Sequence, residues 1–356
     1  MSDREELSAL EDVERGSEEE EHMHAEKQGK SRGAKIISEF LKMREIGVLL
    51  ALLLLFITFS VTSPVFFGLN NLLNVLRQVS ILGIISMGMT MVIVSGEIDL
   101  SVGALYGFAS TIAGILMTNQ ISIWLSLVIA LICGAAIGAI NGLLATYARI
   151  PALIVTLGMM NVARGASLII SKAQVIATSY RTVADPNIDM FLFLGQGKLF
   201  GVVPMMIIFL IFIALISYIL FNTTVLGFHM RGVGGNAAAA RASGINVKLI
   251  KITAFAITGF LCAVAGILNL SFLANVQGTI GQGLELDVIA AVIIGGTTLA
   301  GGEGTILGTI IGVLIMGVLR NGLILLGVSP FWQILMIGVV IIGAVAIDMW
   351  TKKQAV

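Results

Sequence analysis

Between Ile46 and Met349 the chain is a succession of long apolar runs, each ended by a charge, a proline or an Asn/Gly cluster. A helix of roughly 20 apolar residues crosses about 30 Å of hydrocarbon. The runs fall at approximately Ile46–Val61, Asn71–Ser95, Ser101–Thr118, Ile121–Tyr147, Ala152–Ser171, Val202–Phe221, Ile250–Leu273, Leu284–Leu299, Gly304–Leu326 and Pro330–Met349. The expected architecture is therefore an all-α polytopic membrane protein of about ten transmembrane helices. A composition of 57% hydrophobic and 12% charged residues excludes an ordinary soluble enzyme surface.

The charges are unevenly placed. Of the 21 acids, eleven lie between Asp3 and Glu26, and only eight follow Glu45. Residues 1–45 read as an acidic, largely disordered cytoplasmic tail and juxtamembrane segment, residues 46–350 as the permeating body, and residues 351–356 as a cytoplasmic tail. The apolar run at Ile46 starts too late and runs too long for a secretory signal. With ten crossings both termini face the cytoplasm. Fifteen Lys/Arg then fall inside, eight of them before the first span, and five fall outside, namely Arg77, Lys172, Arg181, Lys198 and Arg320. That bias is the positive-inside pattern. No basic face exists for nucleic acid. Cys133 and Cys262 sit in apolar runs, and His22 and His24 lack the companions of a metal site, so neither disulfide nor bound metal is expected.

Landmarks recur in order. Glu97-Ile98-Asp99 is followed by a span, a turn, and a second span carrying Gly134, Gly138 and Gly142, then Asn141-Gly142 and Pro151. Glu285-Leu286-Asp287 is followed likewise by Gly304, Gly308 and Gly312, Asn321-Gly322 and Pro330. The first acidic pair lies at the inner face and the second at the outer face, so the blocks form an inverted repeat, as in many transporters. Short matches of this kind also arise by chance. Glycine at every fourth position is read as close helix packing rather than phosphate binding.

Glu97, Asp99, Glu285 and Asp287 either cap helix starts or line and gate a route. Asn141, Asn161, Arg164, Asn269, Asn275 and Asn321 are further route candidates, because lipid offers them no hydrogen-bond partner. For Arg164, snorkelling explains the charge equally well. No row of acids suits a proton relay, no compact sodium site is legible, and His229 has no catalytic companions, so no enzyme is expected.

The loop at residues 222–251 contains Gly234-Gly235-Asn236, an alanine run with Ala239 and Ala240, and then Ser243-Gly244-Ile245-Asn246. This pattern predicts a short helix on the cytoplasmic side, suited to docking a partner. Here the chain resembles the permease subunits of bacterial ABC importers of the ribose/galactose/xylose type. Gly96-Glu97-Ile98-Asp99-Leu100-Ser101-Val102-Gly103 and Gly295-Gly296-Thr297-Thr298 through Gly304-Thr305 carry the likeness, with Thr156-Leu157-Gly158, Arg164-Gly165 and Asp348 in support. Phe228, His229 and Arg231 depart from the family's usual arginine and tyrosines. The resemblance implies the ten-span fold of vitamin B12 importer permeases and a coupling helix at residues 234–246. Its implied partners are two ABC ATPase subunits, which bind ATP and magnesium on their own chains, an external solute-binding protein, and a second permease copy or paralogue. A monosaccharide is the implied solute. A nucleoside or amino-acid permease, or an ion-coupled secondary transporter, stands as the alternative.

Overall fold

The computed structural model describes residues 44–353, so the expected acidic tail, with His22 and His24, lies almost entirely outside the described residues. The chain divides into two units, Met1–Gly47 and Val48–Val356, and the architecture below is that of the second.

The described elements are overwhelmingly helical: α1 (Arg44–Thr62), α2 (Leu69–Val94), α3 (Val102–Thr118), α4 (Ile123–Thr146), α5 (Ala152–Ile170), α6 (Ile188–Gln196), α7 (Met205–Asn222), α8 (Val225–Gly235), α9 (Ala237–Ala242), α10 (Val247–Leu273), α11 (Leu284–Ile294), α12 (Ile306–Leu325) and α13 (Pro330–Lys353). Two antiparallel ladders of two residues per strand complete it. In one, β1 (Ile176–Ala177) pairs with β4 (Asn275–Val276); in the other, β2 (Lys198–Leu199) pairs with β3 (Val203–Pro204). The apolar sequences satisfy their backbone groups within each helix, as a bilayer demands. Prolines mark the entries: Pro151 and Pro204 precede α5 and α7, and Pro330 opens α13.

Among the described residues six helices, α2, α4, α5, α7, α10 and α12, are long and apolar enough to cross a membrane. The protein is a multi-pass, all-α membrane protein. Two elements differ from the sequence reading. Helix α11 stops at Ile294, not Leu299, so its 11 residues reach only about 16 Å. Gly295 and Gly296 end it, the latter at φ +93°. The segment between α5 and α7, where no helix is expected, contains α6. Its Phe191 and Ile188 are buried, and it is tied to α10 by Ser271 Oγ, which donates to Phe191 O and accepts from Gly195 N at 2.7 Å.

Helix α10 is the central post, packed on α4, α2 and α3. The four-residue glycine spacing is what lets it sit there. A Cβ at Gly134, Gly138 or Gly142 would come within 2.6, 2.2 and 2.6 Å of Gly259 O, Phe255 O and Ile252 Cα. Gly308 and Gly312 admit α11 in the same way, with Gly295 O and Ala291 O each 2.0 Å from where a Cβ would stand. These are sub-van-der-Waals separations, so the packing reading of both stripes holds. Cys262 is buried and Cys133 half-buried, both as free thiols.

In the loop before α6, the Asp185 carboxylate accepts from the backbone N–H of Ile123 at 2.9 Å and of Asn187 at 2.8 Å. Those bonds hold its pKa below the usual carboxylate range.

Candidate functional site

The predicted short helix is present as α9, and Asn236 explains where it starts. Its side-chain oxygen accepts from Ala238 N and Ala239 N at 3.1 and 3.0 Å, an N-cap that satisfies two otherwise unbonded donors. Ser243 closes the helix, Gly244 turns the chain at φ +84°, and Asn246 caps α10 through Leu249 N. Ala239, Arg241, Ser243, Gly244 and Asn246 are exposed; Ala240 is buried and Ile245 half-buried. The helix therefore stands on one anchored alanine and presents the rest of its surface outward.

Its base is a junction of three glycine-bearing segments. Gly302 N donates to Val94 O at 2.8 Å, joining the end of α2 to the loop before α12. Gly234, the penultimate residue of α8, is wedged against this bond: a Cβ there would lie 1.7 Å from Val94 O and 2.7 Å from Gly302 N. Gly301, at φ +83°, stands over Gly96 and Gly234 O. The contacts of α8 with α2 and with the α11–α12 loop at this junction are therefore backbone against backbone, with no side chain between them. Arg231 fixes the other end of α8: its guanidinium lies 4.4 Å from the Phe221 ring centroid and donates to Phe221 O and Asn222 Oδ1, both at 2.9 Å.

The acidic blocks behave differently from one another. Glu97 pairs with Lys251 of α10. Asp99 is fully buried; its Oδ1 accepts from Ser101 N at 2.8 Å and from Ser101 Oγ, and Asn141 Nδ2 donates to the same hydroxyl at 3.0 Å. Asp99 Oδ2 and Asn141 Oδ1 are buried without a partner. This block precedes α3, whereas Glu285 and Asp287 lie within the first turn of α11. Glu285 Oε2 would sit 2.4 Å from a Cβ on Gly103, so the start of α11 abuts the start of α3. Asp287, also buried, receives Arg320 Nη2 of α12 at 2.8 Å.

A chain of cavities runs along α2. One of about 450 Å³ is bounded by Asn71, Asn74, Arg77, Gln78, Asn269 and Asn321. Gln78 also borders a second, of about 190 Å³, that reaches Asp287 and Arg320. Those two residues border a third, of about 770 Å³, which adds Tyr106 and Gln282. Asn71 and Asn321 exchange reciprocal amide hydrogen bonds of 3.0 and 2.9 Å beside the first cavity. Of the route candidates, Asn269, Asn321 and Asp287 therefore border this path. Glu97, Asp99 and Asn141 form a cluster with Ser101 and Lys251 that borders none of the three cavities, and Glu285 stands beside it at Gly103. Asn161 is exposed on α5 and donates to its own helix, at Leu157 O; Asn275 is exposed in β4. Arg164 is half-buried on α5, with Nε and Nη2 lacking partners. The sequence reading overlooked Asn71, Asn74 and Gln78, although their spacing of three and four residues puts polar side chains on one stripe of an apolar helix. Among the described residues no cluster suits a metal ion.

The sequence profile of the family described as the branched-chain amino acid transport system / permease component matches residues 71–345. The chain belongs to that permease family. The ribose import permease protein of Escherichia coli (strain K12) is 42% identical over 307 residues, 86% of this chain and 93% of that protein. Its counterpart in Bacillus subtilis (strain 168) is 41% identical over 316 residues, 88% and 94% of the two chains. The L-arabinose ABC transporter permease protein of Azospirillum brasilense is 35% identical over 312 residues, 86% and 88%. No solved structure matches the chain. The permease is a transport subunit rather than an enzyme, and the matched span holds both the glycine junction and the cavities.

Proposed function

We propose that this permease is the membrane subunit of an ATP-driven ABC importer that carries a monosaccharide of the ribose class into the cytoplasm. The reading rests on α9: a capped, exposed helix whose base is welded by backbone contacts to α2 and to the α11–α12 loop. It has the form of a lever for an external motor. The likeness to ribose and arabinose permeases supports the solute class.

In this reading the chain crosses the bilayer ten times in the manner of vitamin B12 importer permeases. Its termini and α9 are cytoplasmic, as the fifteen-to-five charge bias favours. Two ATPase subunits, holding ATP and magnesium, grip the α9 of this chain and of a second permease copy, while a binding protein delivers sugar from outside. Closure of the ATPases displaces Gly234–Asn246, and the Val94–Gly302 tie carries the motion to α2 and α12, which border the cavities. Glu97, Asp99, Asn141 and Glu285 hold the helix starts that must move together. The chain supplies no chemistry to the hydrolysis.

Reconstitution tests this. Proteoliposomes with the ATPase and a binding protein are expected to accumulate ribose, arabinose or fructose only with ATP. Uptake driven by a sodium or proton gradient without the ATPase would contradict the motor, and ATP-driven uptake of leucine alone would move the solute to the class in the family's description.

A further inference from the structure

The cavity of about 450 Å³ has the volume of a small-ligand pocket, and its walls are chemically one-sided. Asn74 and Gln78 are exposed on a helix that is otherwise mostly buried, and they face this space. Opposite them stands Asn269, only 6% exposed, whose Nδ2 has no hydrogen-bond partner. Arg77 Nε is likewise buried and unpartnered, while its Nη1 donates to Asn74 Oδ1 at 3.1 Å and its guanidinium lies 5.1 Å from the Phe272 ring centroid. An orphaned buried donor costs about 1–3 kcal/mol, and the two orphans here belong to side chains that line the same cavity, where a small rotation would offer each an acceptor oxygen.

The rest of the wall decides what kind of oxygen. The Arg77 charge is already partly engaged by Asn74 and by the Phe272 face. Gln78 and Asn269 present amide oxygens as well as amide nitrogens. A carboxylate only accepts and would set its charge against those oxygens, whereas a hydroxyl both accepts and donates and matches an amide wall. We infer that the chamber at Asn74, Arg77, Gln78 and Asn269 is a binding site for a neutral polyhydroxylated solute of monosaccharide size. It is a resting place on the route, between the Asn71–Asn321 pair and the Arg320–Asp287 bridge. The inference rests on the permease reading and adds to it a location and a chemistry.

Alkylation protection tests it on the assembled permease–ATPase complex without binding protein. With Ile324→Cys, which borders the cavity and is exposed without being one of the four site residues, in a Cys133→Ala, Cys262→Ala chain, D-ribose at millimolar concentration is expected to slow reaction with a small hydrophilic maleimide several-fold and saturably. D-ribonate at the same concentration is expected not to. Adding Asn269→Leu, close to isosteric, or Gln78→Met at an exposed position, is expected to abolish the protection. Unchanged alkylation in D-ribose, L-arabinose and D-fructose alike, from a preparation that imports one of them on ATP once the binding protein is added, would overturn the site and leave the permease reading standing. Protection by ribonate equal to that by ribose would overturn the neutral-solute chemistry. Failure of the wild-type assembly to import any sugar would remove the reading beneath both.

Discussion

Of the adjacent glycines at the base of α9, only Gly234 is expected to respond to an added methyl group. In Gly234→Ala the new Cβ falls 1.7 Å from Val94 O and 2.7 Å from Gly302 N, both backbone atoms. One or both segments must yield. Overpacking of this kind costs about 1–3 kcal/mol. Loosening the 2.8 Å Gly302–Val94 hydrogen bond adds about 0.5–1.5 kcal/mol. Improved helix propensity at the end of α8 offsets up to about 1 kcal/mol, which leaves a net loss of about 0.5–4.5 kcal/mol. In Gly235→Ala the nearest atom, Gly302 Cα, is 3.9 Å away, so the methyl group makes an ordinary van der Waals contact and displaces nothing. Thermal unfolding of the purified complex, followed by loss of monodisperse protein, reads stability, and sugar imported per ATP hydrolysed reads coupling. Gly234→Ala should melt several degrees lower and import less per ATP; Gly235→Ala should match the parent in both. If the two variants behave alike, the glycine junction is not the point through which the lever is tied.

Asn236→Ala removes the cap of α9 and should cost about 1 kcal/mol, seen as faster amide exchange at Ala238 and Ala239, whereas Asn236→Asp should keep exchange slow. Arg320→Gln leaves the buried Asp287 carboxylate without its cation. Because the Arg320 side chain is 43% exposed, water screens part of the pair, and the expected loss is about 1–3 kcal/mol. Adding Asp287→Asn should recover most of it in a double-mutant cycle, and a double variant no better than the single one would refute the pairing. The depressed pKa of Asp185 gives the loop before α6 stability that is fully present above the ordinary carboxylate pKa and is lost as pH falls through the lower folded value. Proteolysis between Lys172 and Val202 should therefore accelerate only in strong acid, and Asp185→Asn should weaken the loop at neutral pH.

Apolar run length and the prolines carry most of the fold, because a bilayer tolerates few alternatives to a helix. Run length fails where a helix is cut short by geometry. Residues 295–299, Gly-Gly-Thr-Thr-Leu, hold no charge or proline that would end an apolar run, yet Gly295 lies against Gly308 O and Gly296 takes a left-handed conformation, so α11 ends early. Helix α6 is missed for the opposite reason: nine residues fall below any membrane threshold, and burial of its aromatic face on α10 is a tertiary effect. Helix α9 is legible since its caps, Asn236 and Gly244, act locally. The chamber is only half legible. Asn269 and Asn321 draw attention as polar interruptions late in their spans, but Asn74 and Gln78 read as ordinary polarity near the start of a span. Only the void beside them shows what they face.

Cross-linking α9 to its motor tests the central claim most directly. With Ala239→Cys as the single thiol on the permease, a short bifunctional reagent should join it to an engineered cysteine on the ATPase surface, in a nucleotide-dependent way, and the joined complex should stop importing. If Ala239 never cross-links while the complex imports sugar at its normal rate, or cross-links and imports unimpeded, this helix is not the part that the ATPase moves.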